Sequence, residues 1–258
     1  MSSLAFAGNS SSYLKIPNAS AFNFGTGDFT IEWYQYQTDT NSFPRIFQVG
    51  SYPSTVSIGV SIEGGSFIYW TNTAHVARTL ASSSYKNVWV HFAICRVSGV
   101  TSIYMNGTSI FSMNDTTNFS SASDLTIGNE STVSNTAAFG GYITYFSWVK
   151  GVALYTSNFT VSNQYPTLTS NYVLLLKATS FDGTLGNTVA NTNVSTTPNV
   201  PLNFLASNNN NNNQSVQVIP KSIKSLFTNN ALVYYSPGSL AACGVGSVRN
   251  SSAKRRKI

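Results

Sequence analysis

Apolar and polar residues alternate with a period of two along much of the first 180 positions, which is the pattern of half-buried strands. Phe29, Ile31 and Trp33 are separated by Thr30 and Glu32. Val56, Ile58, Val60 and Ile62 are separated by Ser57, Gly59 and Ser61. The run from Val88 to Val97 places Val88, Val90, Phe92 and Ile94 on one face and is the most apolar of these segments. Arg45 to Gly50, Phe67 to Trp70, Thr101 to Met105, Thr108 to Met113, Leu125 to Gly128, Gly141 to Val149 and Tyr172 to Leu176 add further strands. Glu63-Gly64-Gly65-Ser66 and Ser98-Gly99 supply turns, and Asn106-Gly107 is a two-residue hairpin signal because both positions tolerate positive φ. About ten short strands, with almost no helical periodicity, predict an all-β fold of two packed antiparallel sheets.

The pattern stops near Pro201. Asn208 to Asn213 is an unbroken Asn run followed by Gln214, with nothing to bury, and reads as a linker. Isolated apolar clusters return at Ile219–Leu226 and Leu232–Tyr235, too few for a core. The expected organisation is a sandwich over 1–200, an Asn-rich linker over 201–220 and an extended basic tail over 221–258.

Charge sharpens this division. Charged residues make up only 9% of the chain, against about 25% in ordinary soluble proteins, so neutral Ser, Thr and Asn must cover the surface. The net charge of +6 belongs to the tail: Lys221, Lys224, Arg249, Lys254, Arg255, Arg256 and Lys257 are unaccompanied by any acid. The remainder, with seven basic and eight acidic residues, is nearly neutral. Attraction to an anionic partner is therefore expected of the tail alone. Cys95 and Cys243 are far apart and read as free thiols in a reducing compartment, since the first residues lack the basic and apolar blocks of a secretory signal. Asn-x-Ser/Thr triplets, as at Asn18, Asn106 and Asn158, are expected by chance in this composition.

Several segments together resemble a known family. Leu4-Ala5-Phe6-Ala7-Gly8 and Tyr13-Leu14-Lys15-Ile16-Pro17, then Phe24 to Trp33, resemble the first strands of laminin-G-like, concanavalin-A-type domains. Trp89 to Arg96, with Tyr104-Met105-Asn106-Gly107 after it, continues the likeness. Gly141-Tyr142-Ile143 … Phe146 … Lys150-Gly151-Val152-Ala153-Leu154-Tyr155-Thr156-Ser157-Asn158-Phe159-Thr160 resembles a signature of the copies carried by phages and large DNA viruses. The resemblance spans roughly residues 4–180 and implies a concanavalin-A-like jelly-roll sandwich. The end of the chain, Ser236 to Lys257, is similar to basic C-termini of structural proteins of large algal DNA viruses. That implies a virion protein, minor capsid or decoration, made in the host cytoplasm. Other capsid proteins, above all the major capsid protein, would be its partners, held by Arg249, Lys254, Arg255, Arg256 and Lys257.

Enzymatic chemistry is not expected. The family's glucanases carry Glu-x-Asp-x-x-Glu on one strand, and no two acids here stand at i, i+2. His75 and His91 lack acids or thiols at metal or triad spacing, and His91 is expected to be a structural residue. Many relatives hold Ca²⁺ at the rim of the sandwich. Thr144 stands where the family often has Asp, and the early Asp is missing around Gly8-Asn9-Ser10, so no cofactor is expected. A weak site using Asp28 or Asp182 stays open. The alternative function is carbohydrate binding by an adhesion module, with Tyr34, Tyr36, Tyr69 and Trp70, and also Tyr52, as rings able to stack on sugars; each is equally a core filler. Nucleic-acid or membrane contact by the basic tail is a further, less favoured option, because the run holds no aromatic for base stacking.

Overall fold

A computed structural model describes residues 2–17, 22–38, 41–51, 57–72, 75–120, 123–162, 164, 166–178 and 189–201 of the 258. Their strands are β1 (Ser3–Ala7), β2 (Tyr13–Ile16), β3 (Phe29–Gln37), β4 (Arg45–Val49), β5 (Ile58–Glu63), β6 (Ser66–Thr71), β7 (His75–Thr79) and β8 (Trp89–Val97). β9 (Val100–Met105), β10 (Thr108–Asn114), β11 (Leu125–Ile127), β12 (Gly140–Lys150), β13 (Tyr172–Leu176), β14 (Ala190–Thr192) and β15 (Ser195–Thr197) complete them. The first sheet runs β10-β9-β8-β3-β12-β1-β15, with β13 also on β12; the second runs β14-β2-β11-β4-β5-β6-β7. All the pairings between these strands are antiparallel, giving the two-sheet sandwich the alternation predicts.

The core is an aromatic layer between the sheets. Trp33 stacks on Phe92 with centroids 5.6 Å apart and meets Phe47 edge-on at 5.6 Å. Trp148 stacks on Phe24 at 5.1 Å. These are the inward positions of the alternating patterns, and Phe29, Ile31, Val90 and Ile94 join them. Val88 departs from the expectation: β8 begins one residue later, and Val88 is exposed. The Asn106-Gly107 hairpin forms as expected, with φ of 49° and 78°.

At the end of the sandwich where β3 begins, buried Arg96 gathers the loops. It donates to the carbonyls of Gly27 (2.9 Å), Thr117 (2.7 Å) and Gly25 (2.8 Å), and lies between the rings of Phe29 and Phe119. Asp115 accepts from Thr101 and Tyr69 beside it. Burial raises the Asp115 carboxyl, but hydrogen bonds from Thr117, Thr101 and Tyr69 outweigh it and hold the group below the usual range. This end of the molecule is closed by its own hydrogen bonds.

Candidate functional site

The outward face of the first sheet is built in rows, because residues paired across antiparallel strands project to the same side. The row nearest the C-terminal end of β3 joins Trp89, Tyr36 and Tyr142, paired on three adjacent strands. Their centroids are 5.7 Å (Tyr36–Trp89), 5.8 Å (Tyr36–Tyr142) and 6.4 Å (Trp89–Tyr142) apart. The rings thus close into a compact triad, and all three are half-buried. Trp89 is fixed by its indole N–H, which donates to Asn199 Oδ1 at 3.3 Å. Gly141 lets β12 approach β3 here: at φ +140°, a Cβ would stand 2.0 Å from the Tyr36 carbonyl oxygen.

The next rows are covered. Residues 151–162 cross them as a strap, tied by Thr30 Oγ1 to Val152 O (3.0 Å), by Leu154 N to Thr30 Oγ1 (2.8 Å) and by Phe159 N to Gly107 O (2.9 Å). Beneath the strap lies Glu32, 1% exposed. Its Oε1 accepts from the Tyr145 hydroxyl (3.0 Å) and, at the limit of bonding distance, from the Ser147 hydroxyl (3.5 Å). Its Oε2 accepts from the Tyr155 hydroxyl (2.9 Å) and lies 3.1 Å from His91 Nε2. Burial first, and then the negative field of Glu32, push the Tyr145 and Tyr155 phenols far above their ordinary range. Tyr145 reaches Glu32 because β12 carries an extra residue between Thr144 and Ser147, a bulge that puts this bulky side chain at φ 58°. Such a conformation costs of order 1–3 kcal/mol and persists only where the surroundings enforce it. His91 is therefore held beneath the strap on the outward face of the first sheet, with Nε2 against Glu32 and Nδ1 buried without a partner.

The sequence-predicted aromatics are dispersed. Tyr34 is buried under the strap, its hydroxyl donating to the Ser162 carbonyl. Tyr69 lies fully inside the core, bonded to Asp115 Oδ2 at 3.1 Å. Trp70 lies on the outward face of the second sheet, pressed against Gly59 with the Arg45 guanidinium 4.5 Å over its ring. None of these three offers an open ring face, which corrects the expectation that they stack on a sugar: strand parity decides inward against outward, and neighbours cover the rest. Tyr36 is half-exposed, but its companions Trp89 and Tyr142 were missed. Each stands at outward parity, beside Val90 and Ile143, yet only the strand register brings them together. Tyr52, Asp182, Cys243 and the tail residues Arg249, Lys254, Arg255, Arg256 and Lys257 lie outside the described residues.

Among the described residues no group of three or more His, Cys, Asp or Glu is placed to hold a metal ion. Asp28, a residue open for calcium, accepts from Ser98 N at 2.9 Å. Cys95 is a free, buried thiol.

Two antiparallel sheets enclosing an aromatic core, with an outward face partly strapped, define a lectin-type β-sandwich. The chain belongs to the Concanavalin A-like lectin/glucanases superfamily, whose model matches residues 8–162. No curated protein matches its sequence. Among solved structures it is similar to a candidate carbohydrate-binding protein from Bacteroides ovatus, with a TM-score of 0.59 and 14% identity over 76% of this chain and 59% of that one. It is also similar to part of the extracellular region of zebrafish Gpr126/Adgrg6, with a TM-score of 0.56 and 16% identity over 76% of this chain and 26% of that one. At these identities the likeness is one of fold, and the chain spans less than two thirds of either structure.

Proposed function

We propose that this domain is a non-catalytic carbohydrate-binding module and that the Tyr36–Trp89–Tyr142 triad is its contact surface. The observation that carries this reading is a cluster of three half-exposed rings fixed on the rigid strands of a sheet. Aromatic faces pack against the apolar C–H faces of sugar rings, while phenol hydroxyls orient the ligand by hydrogen bonds. The triad's span of about two ring widths suits one or two sugar units rather than a long chain. Residues 1–220, with seven basic and eight acidic side chains, are nearly neutral, which favours a neutral glycan. The Bacteroides ovatus structure, with the same fold and a candidate role in carbohydrate binding, supports the reading in kind.

Screening the full chain on a glycan array, followed by titration calorimetry with the best soluble glycan, tests it. Trp89→Ala is expected to weaken binding about tenfold or more, equivalent to about 1.4 kcal/mol. A silent array, or affinity indifferent to Trp89→Ala, overturns the reading. The seven basic residues beyond position 220 favour a second role, compatible with the first, as an anchor to capsid partners in a virion. Deleting residues 201–258 tests that role, and normal incorporation of the truncated chain into particles ends it.

A further inference from the structure

Asn199 stands at the edge of the triad and is held from several sides. Pro198 restrains the backbone before it, and Val200 after it is buried with Tyr34, Tyr145 and Leu175. The Asn199 carbonyl accepts from the Ser3 hydroxyl, and its N–H donates to Thr197 Oγ1 at 3.4 Å. Pairing of β15 with β1, and of β1 with β12, brings this residue to Trp89 from 110 positions away in the chain. The side-chain amide can stand only one way round. An indole N–H donates and cannot accept, so the atom 3.3 Å from Trp89 Nε1 is the amide oxygen, and the nitrogen is the other end. Among the described residues Asn199 Nδ2 has no hydrogen-bond partner. Asn199 is half-exposed and this nitrogen is not one of the buried bare atoms, so it is open to solvent beside the rings.

We propose that Asn199 is the specificity residue of this surface and selects sugars that carry an acetamido group, an inference that rests on the triad as the contact surface. The chemistry of the free end decides the class. The Tyr36 and Tyr142 hydroxyls can donate or accept, whereas the Asn199 amide nitrogen only donates. A fixed donor gains most from a group that accepts without donating. Sugar hydroxyls do both and lose little by staying with water. An acetamido carbonyl is a pure neutral acceptor, and the methyl beside it gives the indole further apolar surface to cover. A carboxylate accepts as well, but the neutral amide offers it no countercharge. Because Pro198, Val200 and the indole already hold the side chain, little freedom is lost when a ligand engages it.

The test uses the full chain labelled with ¹⁵N at tryptophan, with the Trp89 indole resonance assigned through Trp89→Phe. Three probes are titrated: methyl N-acetyl-β-D-glucosaminide, methyl β-D-glucopyranoside and methyl β-D-glucuronide. The acetamido sugar is expected to bind about three- to tenfold more tightly than the other two. Asn199→Asp keeps an oxygen for the Trp89 N–H and replaces the free nitrogen by an acceptor, so it should erase that preference while the glucopyranoside binds as before. Asn199→Leu releases the indole and should weaken both neutral sugars. Equal affinities in the wild type, a preference for the glucuronide, or a preference that survives Asn199→Asp overturns the selection by Asn199 and leaves the triad standing. Binding that survives Trp89→Ala, or an indole unmoved by all three probes, overturns the triad and the selection together.

Discussion

Glu32 and Gln48 occupy equivalent settings on opposite sheets. Each sits on a strand between core residues, each points away from the core, and each is almost fully buried. Around Glu32, four segments converge: β3 itself, His91 from β8, Tyr145 and Ser147 from β12, and Tyr155 from the strap. Both carboxyl oxygens are met. Around Gln48 the neighbours on the face carry unmet donors and acceptors of their own. The Glu32 carboxyl, with both oxygens met, acts as a fastener that fixes the strap to the sheet, and His91 Nδ1 is the bare atom of its cluster; the Gln48 amide oxygen is bare and fastens nothing. The contrast separates a buried polar group whose partners hold two segments together from one whose acceptor oxygen holds nothing.

The largest expected effect comes from breaking the fastener. Glu32→Leu leaves His91, Tyr145 and Tyr155 buried without their acceptor and should cost about 3–5 kcal/mol in urea unfolding. A loss below about 1 kcal/mol would show that the network is not structural. Alkali attacks the same side of the molecule. Burial pushes the Cys95 thiol from its ordinary 9.0 up to about 11. Below pH 9 both states hold the proton and nothing changes. Between pH 9 and about 11 the unfolded chain ionises first, the native state binds more protons, and stability falls by roughly 2–3 kcal/mol. The buried tyrosines around Glu32 push in the same direction at higher pH. Urea midpoints followed across this range in wild type and Cys95→Ala should show a shallower decline in the variant.

Smaller effects sharpen the other side. Gly141→Ala forces a Cβ against the Tyr36 carbonyl and should cost about 1–3 kcal/mol while disturbing the triad, so thermal stability and glycan affinity should fall together. Gln48→Leu should have the least effect on folding. It removes one bare acceptor and gives up one bond to Gly50, leaving stability within about 1 kcal/mol of wild type. A loss as large as that of Glu32→Leu would erase the distinction between the two clusters.

Much of the architecture was legible in residue patterns. Alternation marked β3, β5 and β8, the apolar run Tyr172–Leu176 coincides with β13, and Asn106-Gly107 made its hairpin. The short polar strands β7, β14 and β15 were not anticipated, because edge strands that bury little leave a weak apolar signal. The site was less legible. Tyr34, Tyr36, Tyr69 and Trp70 were alike candidates for stacking or for core filling; Tyr36 is half-exposed, and the other three are covered. Tyr145 looked like one more residue in an apolar run until the bulge turned it toward Glu32.

By itself the sequence determined most of the strands that bury an apolar face, which side chains can share a face, and that the charge is concentrated beyond residue 220. Those properties are local, set by a two-residue period and by turn chemistry that acts over a few positions. The tertiary structure alone decided which outward faces are strapped, which rings meet, and which polar atoms find partners. Each of these depends on register between strands distant in the chain, and a shift of one residue in pairing would exchange the two faces of every strand.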